Sequence, residues 1–182
     1  MTKPPLSIVL ATLVHDNKIL LIKRIKGHYI GLWSLPGGKI ENHEHVSDAA
    51  IREVKEEAGI ESEFIEHLGN VSEHLLENGD VDQHFLIHLC KLHPKTTVIC
   101  NHDKNSKYYE GKLEWFDLDK LHENKHLIIL SDYLMIQHMF LNFRNNKNSN
   151  NNNNNNNNIK RKNYYECVIE KIKDEYILRK FE

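Results

Sequence analysis

Three glutamates on one short helical segment constrain this chain more than any other feature. The stretch 38–60 reads GKIENHEHVSDAAIREVKEEAGI. Its pattern predicts a helix over 45–58 that ends at Gly59, a position where a left-handed residue often closes a helix. At about 100° per residue, three carboxylates fall within an arc of about 100° beside an apolar face. They belong to Glu53, Glu56 and Glu57.

Such a cluster needs a positive partner, because carboxylates crowded on one arc repel each other and weaken an isolated helix. Arg52 lies four residues before Glu56, but one guanidinium cannot balance three carboxylates. A hard divalent cation can, since oxygen ligands suit magnesium or manganese. The alternative interpretation is a solvated, charged helix face, which is what most such runs are.

The spacing around this helix resembles the signature of the Nudix hydrolases, a MutT-like family. That signature reads G-x5-E-x7-R-E-U-x-E-E-x-G-U, with U a bulky aliphatic residue. The chain supplies every specified position, namely Gly38, Glu44, Arg52, Glu53, Val54, Glu56, Glu57, Gly59 and Ile60. The preceding segment 31–37 also looks like the family's usual lead-in, and a looser resemblance extends over 7–143.

The resemblance implies a fold and a cofactor. The expected fold class is α/β, a Nudix-type α/β/α sandwich with a mixed sheet and a loop-helix-loop metal site. The expected cofactor is Mg²⁺, for which Mn²⁺ can substitute. The implied metal ligands are the Gly38 carbonyl, Glu53, Glu56 and Glu57, with Glu56 either a direct ligand or a partner behind the ligands.

The resemblance also implies a catalytic set of Glu44, Arg52, Glu53 and Glu110. Arg52 would orient a glutamate through charge-assisted hydrogen bonds, and Glu44 would brace the loop or contact metal-bound water. Family members often place a general base outside the signature, and Glu110 and Glu114 are the candidates here. Glu110 is preferred because Tyr109-Glu110-Gly111 resembles a turn. The alternative, a signature glutamate acting as the base, stays open.

Three residues outside the signature are predicted to contact substrate. Arg24, preferred over Lys23, ends a predicted strand where its charge could reach phosphates. Trp33 and Phe85 could stack on a base. For all three, the competing interpretation is structural: solvated charge at the strand end, and aromatic packing in the core.

The rest of the chain predicts one domain and an appended tail. Strands expected at 6–14, 19–22, 63–71, 83–92, 96–100 and 112–118, with a closing helix at 131–143, place the Nudix hydrolase domain at 1–144. Residues 145–158 are almost pure asparagine, which predicts a disordered linker. The tail, 159–182, has apolar residues at helical spacing, which indicates a short amphipathic helix that docks on the domain or meets a partner. The preferred interpretation is an appended tail with no catalytic part.

Composition narrows the function classes. A net charge of −2 argues against a nucleic-acid or membrane-surface binder. Three cysteines without a C-x-x-C pair argue against a disulfide framework, and the absence of a targeting or spanning segment favours a cytoplasmic protein. From the resemblance and the composition together, we expect the protein to hydrolyse a nucleotide-like small molecule. The preferred substrate is a nucleoside triphosphate, and oxidised triphosphates are included in this class. ADP-ribose or another nucleotide sugar, and a non-catalytic nucleotide-binding module, are the alternatives. The oligomeric state, monomer or homodimer, is open.

Overall fold

A computed structural model describes residues 3–100, 106, 109–141 and 162–182 of the chain. Within these residues it contains nine strands, two α-helices and two short 3₁₀ helices, Leu118–Lys120 and Lys125–Leu127. The strands are β1 (Leu6–His15), β2 (Lys18–Arg24), β3 (Trp33–Ser34), β4 (Gly37–Lys39), β5 (Ser62–Glu77), β6 (Asp80–Pro94), β7 (Gly111–Asp117), β8 (Tyr164–Ile172) and β9 (Glu175–Phe181). The α-helices are α1 (Val46–Ala58) and α2 (Leu130–Met135), which continues as a π-helical segment over Ile136–Leu141.

The strands form one mixed sheet in the order β3-β2-β1-β6-β5-β8-β9, with β4 paired to β1 and β7 paired to β2. β1 runs parallel to β6, and β5 runs parallel to β8, while the other pairs are antiparallel. The start of β1 pairs with β4 and its end with β2. This split brings β4, which immediately precedes the glutamate loop and helix, to the centre of the molecule.

Helices cover both faces of the sheet. Successive residues of β1 alternate between the two cores: Val9 and Ala11 pack in the core that includes Ala50 and Val54 of α1. Leu10 instead packs in the larger core that contains α2 and the π-helical segment. Period-two alternation on a strand produces this division. The expected α/β/α sandwich with a mixed sheet is confirmed.

The described residues correct three expectations. Residues 96–100 form no strand, and the closing helix begins at Leu130 and changes to π geometry at Ile136. The expected helix in the tail is wrong, because 164–181 forms the antiparallel hairpin β8–β9. Buried Tyr165, Cys167 and Ile169 follow the period of a strand, and the edge of β5 supplies backbone partners for them. The asparagine tract lies outside the described residues.

None of the helices in the described part of the chain is long and apolar enough to cross a membrane.

Candidate active site

Helix α1 presents its glutamates because its opposite face is anchored in the core. Ala50, Val54 and Ala58 are fully buried against the sheet. The helix ends at Gly59, whose φ of 67° is left-handed and whose amide donates to the Lys55 carbonyl. A glycine adopts this conformation without the steric cost of a side chain. The helix start and end predicted from the sequence agree with the structure to within one residue.

Arg52 is the centre of a charged network beside the helix. Its Nε and Nη2 donate to the two carboxylate oxygens of Glu44, at 2.7 and 2.9 Å. Its Nη1 donates to Glu53 Oε1 at 2.8 Å and to Glu56 Oε2 at 3.3 Å. Nη2 also donates to the Lys39 carbonyl at 3.0 Å. One guanidinium thus joins the loop that precedes the helix to the glutamates on it.

Glu44 is held by the loop as well as by Arg52. The Glu41 amide donates to Glu44 Oε2 at 3.0 Å. The hydrogen bonds from Arg52 lower the pKa of the Glu44 carboxyl, more than partial burial raises it. Glu44 therefore stays ionised and fixes Arg52 in turn, which is a bracing role.

Glu57 is buried and Glu53 is partly buried. Only 6% of Glu57 is exposed, and its Oε2 accepts a hydrogen bond from the Gly37 amide at 3.0 Å. Burial raises the pKa of Glu57 well above its usual range, and the nearby Glu53 charge adds to this. Burial also raises the pKa of Glu53, against the opposing effect of Arg52. Two adjacent carboxylates with little access to water repel each other, and a cation between them would relieve that repulsion.

Gly38 allows this arrangement. A Cβ at this position would lie 2.6 Å from Glu53 Oε1, so any side chain would displace the carboxylate. The backbone of β4 thereby approaches the glutamates directly. The Gly38 carbonyl belongs to the same strand, which is the setting that the family resemblance implies for it.

The donor set fits a hard divalent cation. The candidate ligands are the carboxylates of Glu53, Glu56 and Glu57 and the Gly38 carbonyl, all oxygen donors. Within the residues described, no three acidic, histidine or cysteine side chains already converge on one point. Glu53 Oε1 and Glu56 Oε2 accept hydrogen bonds from Arg52. A carboxylate has two oxygens, so each side chain could still bind a cation while Arg52 orients it.

The glutamates border an open cleft of about 1170 Å³. The predicted substrate residues Arg24 and Phe85 line it, and so does the predicted base Glu110. Arg24 Nε donates to the His28 carbonyl at 2.9 Å, and Glu110 pairs with Lys26 at 2.6 Å. The sequence interpretation placed these three residues in one site, and the structure brings them to one cleft.

Trp33 does not belong to the cleft. Its side chain is 7% exposed and packs edge-on against Phe116, with the ring centroids 4.7 Å apart. The structure therefore does not bring Trp33 to this cleft and packs it in the core at the start of β3. Glu114 is also absent from the lining of the cleft and pairs with Lys112 on the surface.

Sequence reasoning missed two buried acids that line the cleft. Asp132 Oδ2 accepts hydrogen bonds from the Leu35 amide and the Ser34 hydroxyl, both at 2.8 Å. Glu73 is 1% exposed, and its Oε1 accepts a hydrogen bond from the Tyr29 hydroxyl at 2.7 Å. The available signal was weak: Asp132 lies in the expected closing helix with no motif around it, and Glu73 lies two residues beyond the expected strand 63–71.

Asp132 makes stability depend on pH. Burial raises its pKa from 3.8 to about 7. Between about pH 4 and pH 7 the folded chain holds a proton on Asp132 that the unfolded chain has lost. The stabilisation that this proton gives to the folded chain is therefore complete below about pH 4 and is lost as pH rises through about 7. Asp132→Asn cannot ionise, and relative to wild type it should gain on the order of 3 kcal/mol of unfolding free energy between about pH 4 and pH 8.

Urea unfolding of both proteins across that pH range measures the difference. Asp80→Asn, at an exposed position in β6, is the control and should track the wild type. Parallel pH profiles for wild type and Asp132→Asn would contradict the assignment of a buried, proton-binding carboxyl.

The chain shows local sequence similarity to nucleotide-cleaving proteins of known name. An ADP-ribose pyrophosphatase of Methanocaldococcus jannaschii is 53% identical over 45 residues, 25% of this chain and 27% of that protein. An 8-oxo-dGTP diphosphatase of Proteus vulgaris is 40% identical over 47 residues, 26% of this chain and 42% of that protein. The chain thus matches less than half of the length of each relative, and the matches are local.

The fold is similar to the crystal structure of the mutator MutT protein of Bacillus halodurans, with a TM-score of 0.67 at 20% identity. The similarity covers 97% of this chain and 96% of that one, and at this identity it concerns the fold alone. The family model for the NUDIX domain matches residues 4–139. Since that match spans well over half of the chain, this protein belongs to the NUDIX domain family.

Proposed function

We propose that the chain hydrolyses the diphosphate bond of a nucleoside diphosphate linked to a further group, with Mg²⁺ as cofactor. One observation carries the proposal: the buried Glu57 and the partly buried Glu53 lie close enough to repel each other at the edge of an open cleft. A diphosphate is itself anionic, so it can approach these carboxylates only if a cation lies between them. Membership of the NUDIX domain family supports the same chemistry.

Different residues of the site have different proposed roles. Glu53, Glu56, Glu57 and the Gly38 carbonyl would hold Mg²⁺. When bound, the ion neutralises the diphosphate and lowers the pKa of an attacking water. Arg52 and Glu44 keep the glutamates oriented. Arg24, on the wall of the cleft, would add positive charge near the phosphates.

Glu110 is the proposed general base. Its carboxylate lies at the cleft, one-third exposed and paired with Lys26 at 2.6 Å. A general base must reach the water whose proton it removes, so Glu110 would have to leave Lys26 when substrate binds. With Glu110 as the base, all three glutamates of helix α1 remain available to bind the cation.

We propose a nucleoside triphosphate, possible oxidised forms included, as the substrate. The similarity to the 8-oxo-dGTP diphosphatase of Proteus vulgaris supports this class. The similarity to an ADP-ribose pyrophosphatase supports ADP-ribose as the second candidate. The cleft has room for either, since its volume of about 1170 Å³ exceeds the roughly 300–1,000 Å³ that is usual for small-molecule sites.

A substrate panel tests the proposal. Nucleoside triphosphates, an oxidised triphosphate, ADP-ribose and a dinucleoside polyphosphate are incubated with the full chain, with and without Mg²⁺. Release of phosphate, pyrophosphate or nucleoside monophosphate is then measured. We expect turnover of one class that stops when the metal is chelated. Nucleotide binding without turnover of any panel member would contradict the proposal and favour a binding module.

A further inference from the structure

The C-terminal hairpin β8–β9 is built into the sheet. β8 pairs in parallel with β5 from Asn70 to Glu77. Three of its side chains, Tyr165, Cys167 and Ile169, are buried in the same core as α2. This hairpin lies beyond residues 4–139, which the family model matches. It is therefore an integral part of the fold and not an appended tail.

The hairpin contacts a loop that walls the cleft. This wall loop, 25–32, connects β2 to β3. Its four consecutive residues Lys26, Gly27, His28 and Tyr29 all line the cleft. The Tyr29 amide donates to the Tyr176 hydroxyl of β9 at 3.0 Å. The two tyrosine rings also touch, with centroids 4.4 Å apart.

Tyr29 needs such support. Its φ is 60°, a left-handed conformation that is unfavourable for a residue with a side chain. Its side chain is buried, and its hydroxyl donates to Glu73 Oε1. Without Tyr176 the Tyr29 amide would lose its partner inside the protein, which destabilises this backbone conformation.

Other residues of the wall loop contact the cleft residues, and their positions follow from the backbone conformation at Tyr29. The His28 carbonyl accepts the hydrogen bond from Arg24 Nε, and the His28 ring meets Phe85 edge-on with centroids 5.7 Å apart. Lys26 pairs with Glu110. Residues close to Tyr29 in the wall loop thus contact Arg24, which is predicted to bind phosphate, the aromatic ring of Phe85, and the proposed base Glu110.

We propose that Tyr176 is a positioning residue for substrate binding, and that the C-terminal hairpin thereby completes the substrate site. This inference rests on the proposed function, because the site is that of the diphosphate substrate. Tyr176 acts through Tyr29 and the wall loop. Its loss therefore changes how well the cleft fits the substrate and leaves the glutamates on α1 untouched.

The variant Tyr176→Phe removes the hydroxyl and keeps the ring. We expect KM for the best panel substrate to rise about three- to tenfold, the effect of one hydrogen bond, while kcat stays within about twofold. Amide hydrogen exchange over 25–32 should become faster. Tyr164→Phe is the matched control, because Tyr164 is on the same hairpin and 48% exposed, and it should behave as wild type. Tyr176→Leu, which also removes the ring contact, should raise KM further.

The outcomes separate the two proposals. Turnover by the wild type with an unchanged KM in Tyr176→Phe and Tyr176→Leu would overturn the positioning role and leave the proposed function standing. Absence of turnover by the wild type would instead overturn the proposed function. In that case calorimetric binding of the same nucleotides decides the positioning role: weaker binding by both Tyr176 variants than by the wild type and Tyr164→Phe supports it, and equal or undetectable binding by all proteins overturns it. A lowered kcat with unchanged KM also overturns it.

Discussion

Glu57→Gln is expected to lower kcat by about a hundredfold or more while the chain stays folded. The amide removes one ligand charge at nearly constant volume, and losing a direct ligand should cost more than the ten- to hundredfold typical of residues behind the ligands. The glutamine oxygen can still accept the Gly37 hydrogen bond. Because a buried charge disappears, the unfolding free energy of the metal-free protein should not fall.

Three measurements on this variant distinguish loss of the metal from loss of the fold. Steady-state kinetics gives kcat, thermal unfolding gives stability, and Mn²⁺ binding by electron paramagnetic resonance gives the affinity for the ion. Glu61→Gln, at an exposed glutamate paired with Lys55, makes the same chemical change just beyond helix α1. It should retain wild-type kcat and Mn²⁺ affinity. Wild-type activity in Glu57→Gln would remove Glu57 from the metal site.

Arg52→Lys is expected to lower kcat about ten- to hundredfold. Lysine keeps the positive charge but cannot form the two-pronged contact that Arg52 makes with Glu44, nor reach Glu53 and Glu56 at once. The glutamates then lose their orientation. The unfolding free energy should fall by about 1–3 kcal/mol, because charge-assisted hydrogen bonds in a partly buried network are lost.

Arg179→Lys is the control for this substitution. Arg179 also contacts one carboxylate with two nitrogens, that of Glu170, but on the surface of β9 away from the cleft. Exposed ion pairs of this kind contribute little, so stability should change by less than about 1 kcal/mol and kcat not at all. Equal behaviour of the two lysine variants would show that the Arg52 network has no special role.

The sequence was most informative where structure is local. The arc of Glu53, Glu56 and Glu57 follows from the helical period alone, and Gly59 marks the helix end at the position observed. The arc and the helix end are settled by backbone geometry that every helix shares, so a single sequence is enough to predict them. The sequence predicted that Arg52 orients a glutamate, and the pair it forms with Glu44, in the loop before the helix, spans only eight positions.

The contacts that form the wall of the cleft could not be predicted from the sequence, because they join residues that are far apart in the chain. Glu73 and Tyr29 are 44 positions apart, and Tyr29 and Tyr176 are 147 apart. No periodicity relates them, because their contacts exist only once the sheet order is known. The apolar residues of the tail fitted a helical spacing. In the fold they instead form a strand, because the open edge of β5 offers backbone partners to pair with. Tertiary context here overrode a local pattern.

The parallel pairing of β5 with β8 also sets the order in which the molecule can fold. Glu77 meets Lys171, a contact that spans 94 positions. Strand pairing over such a distance loses much chain entropy before any contact offsets it, so this edge forms late. During synthesis the β5 edge stays without its neighbour until the last strands are made. In that interval it is open to pairing with other chains, so the late arrival of the hairpin leaves a period in which aggregation can begin.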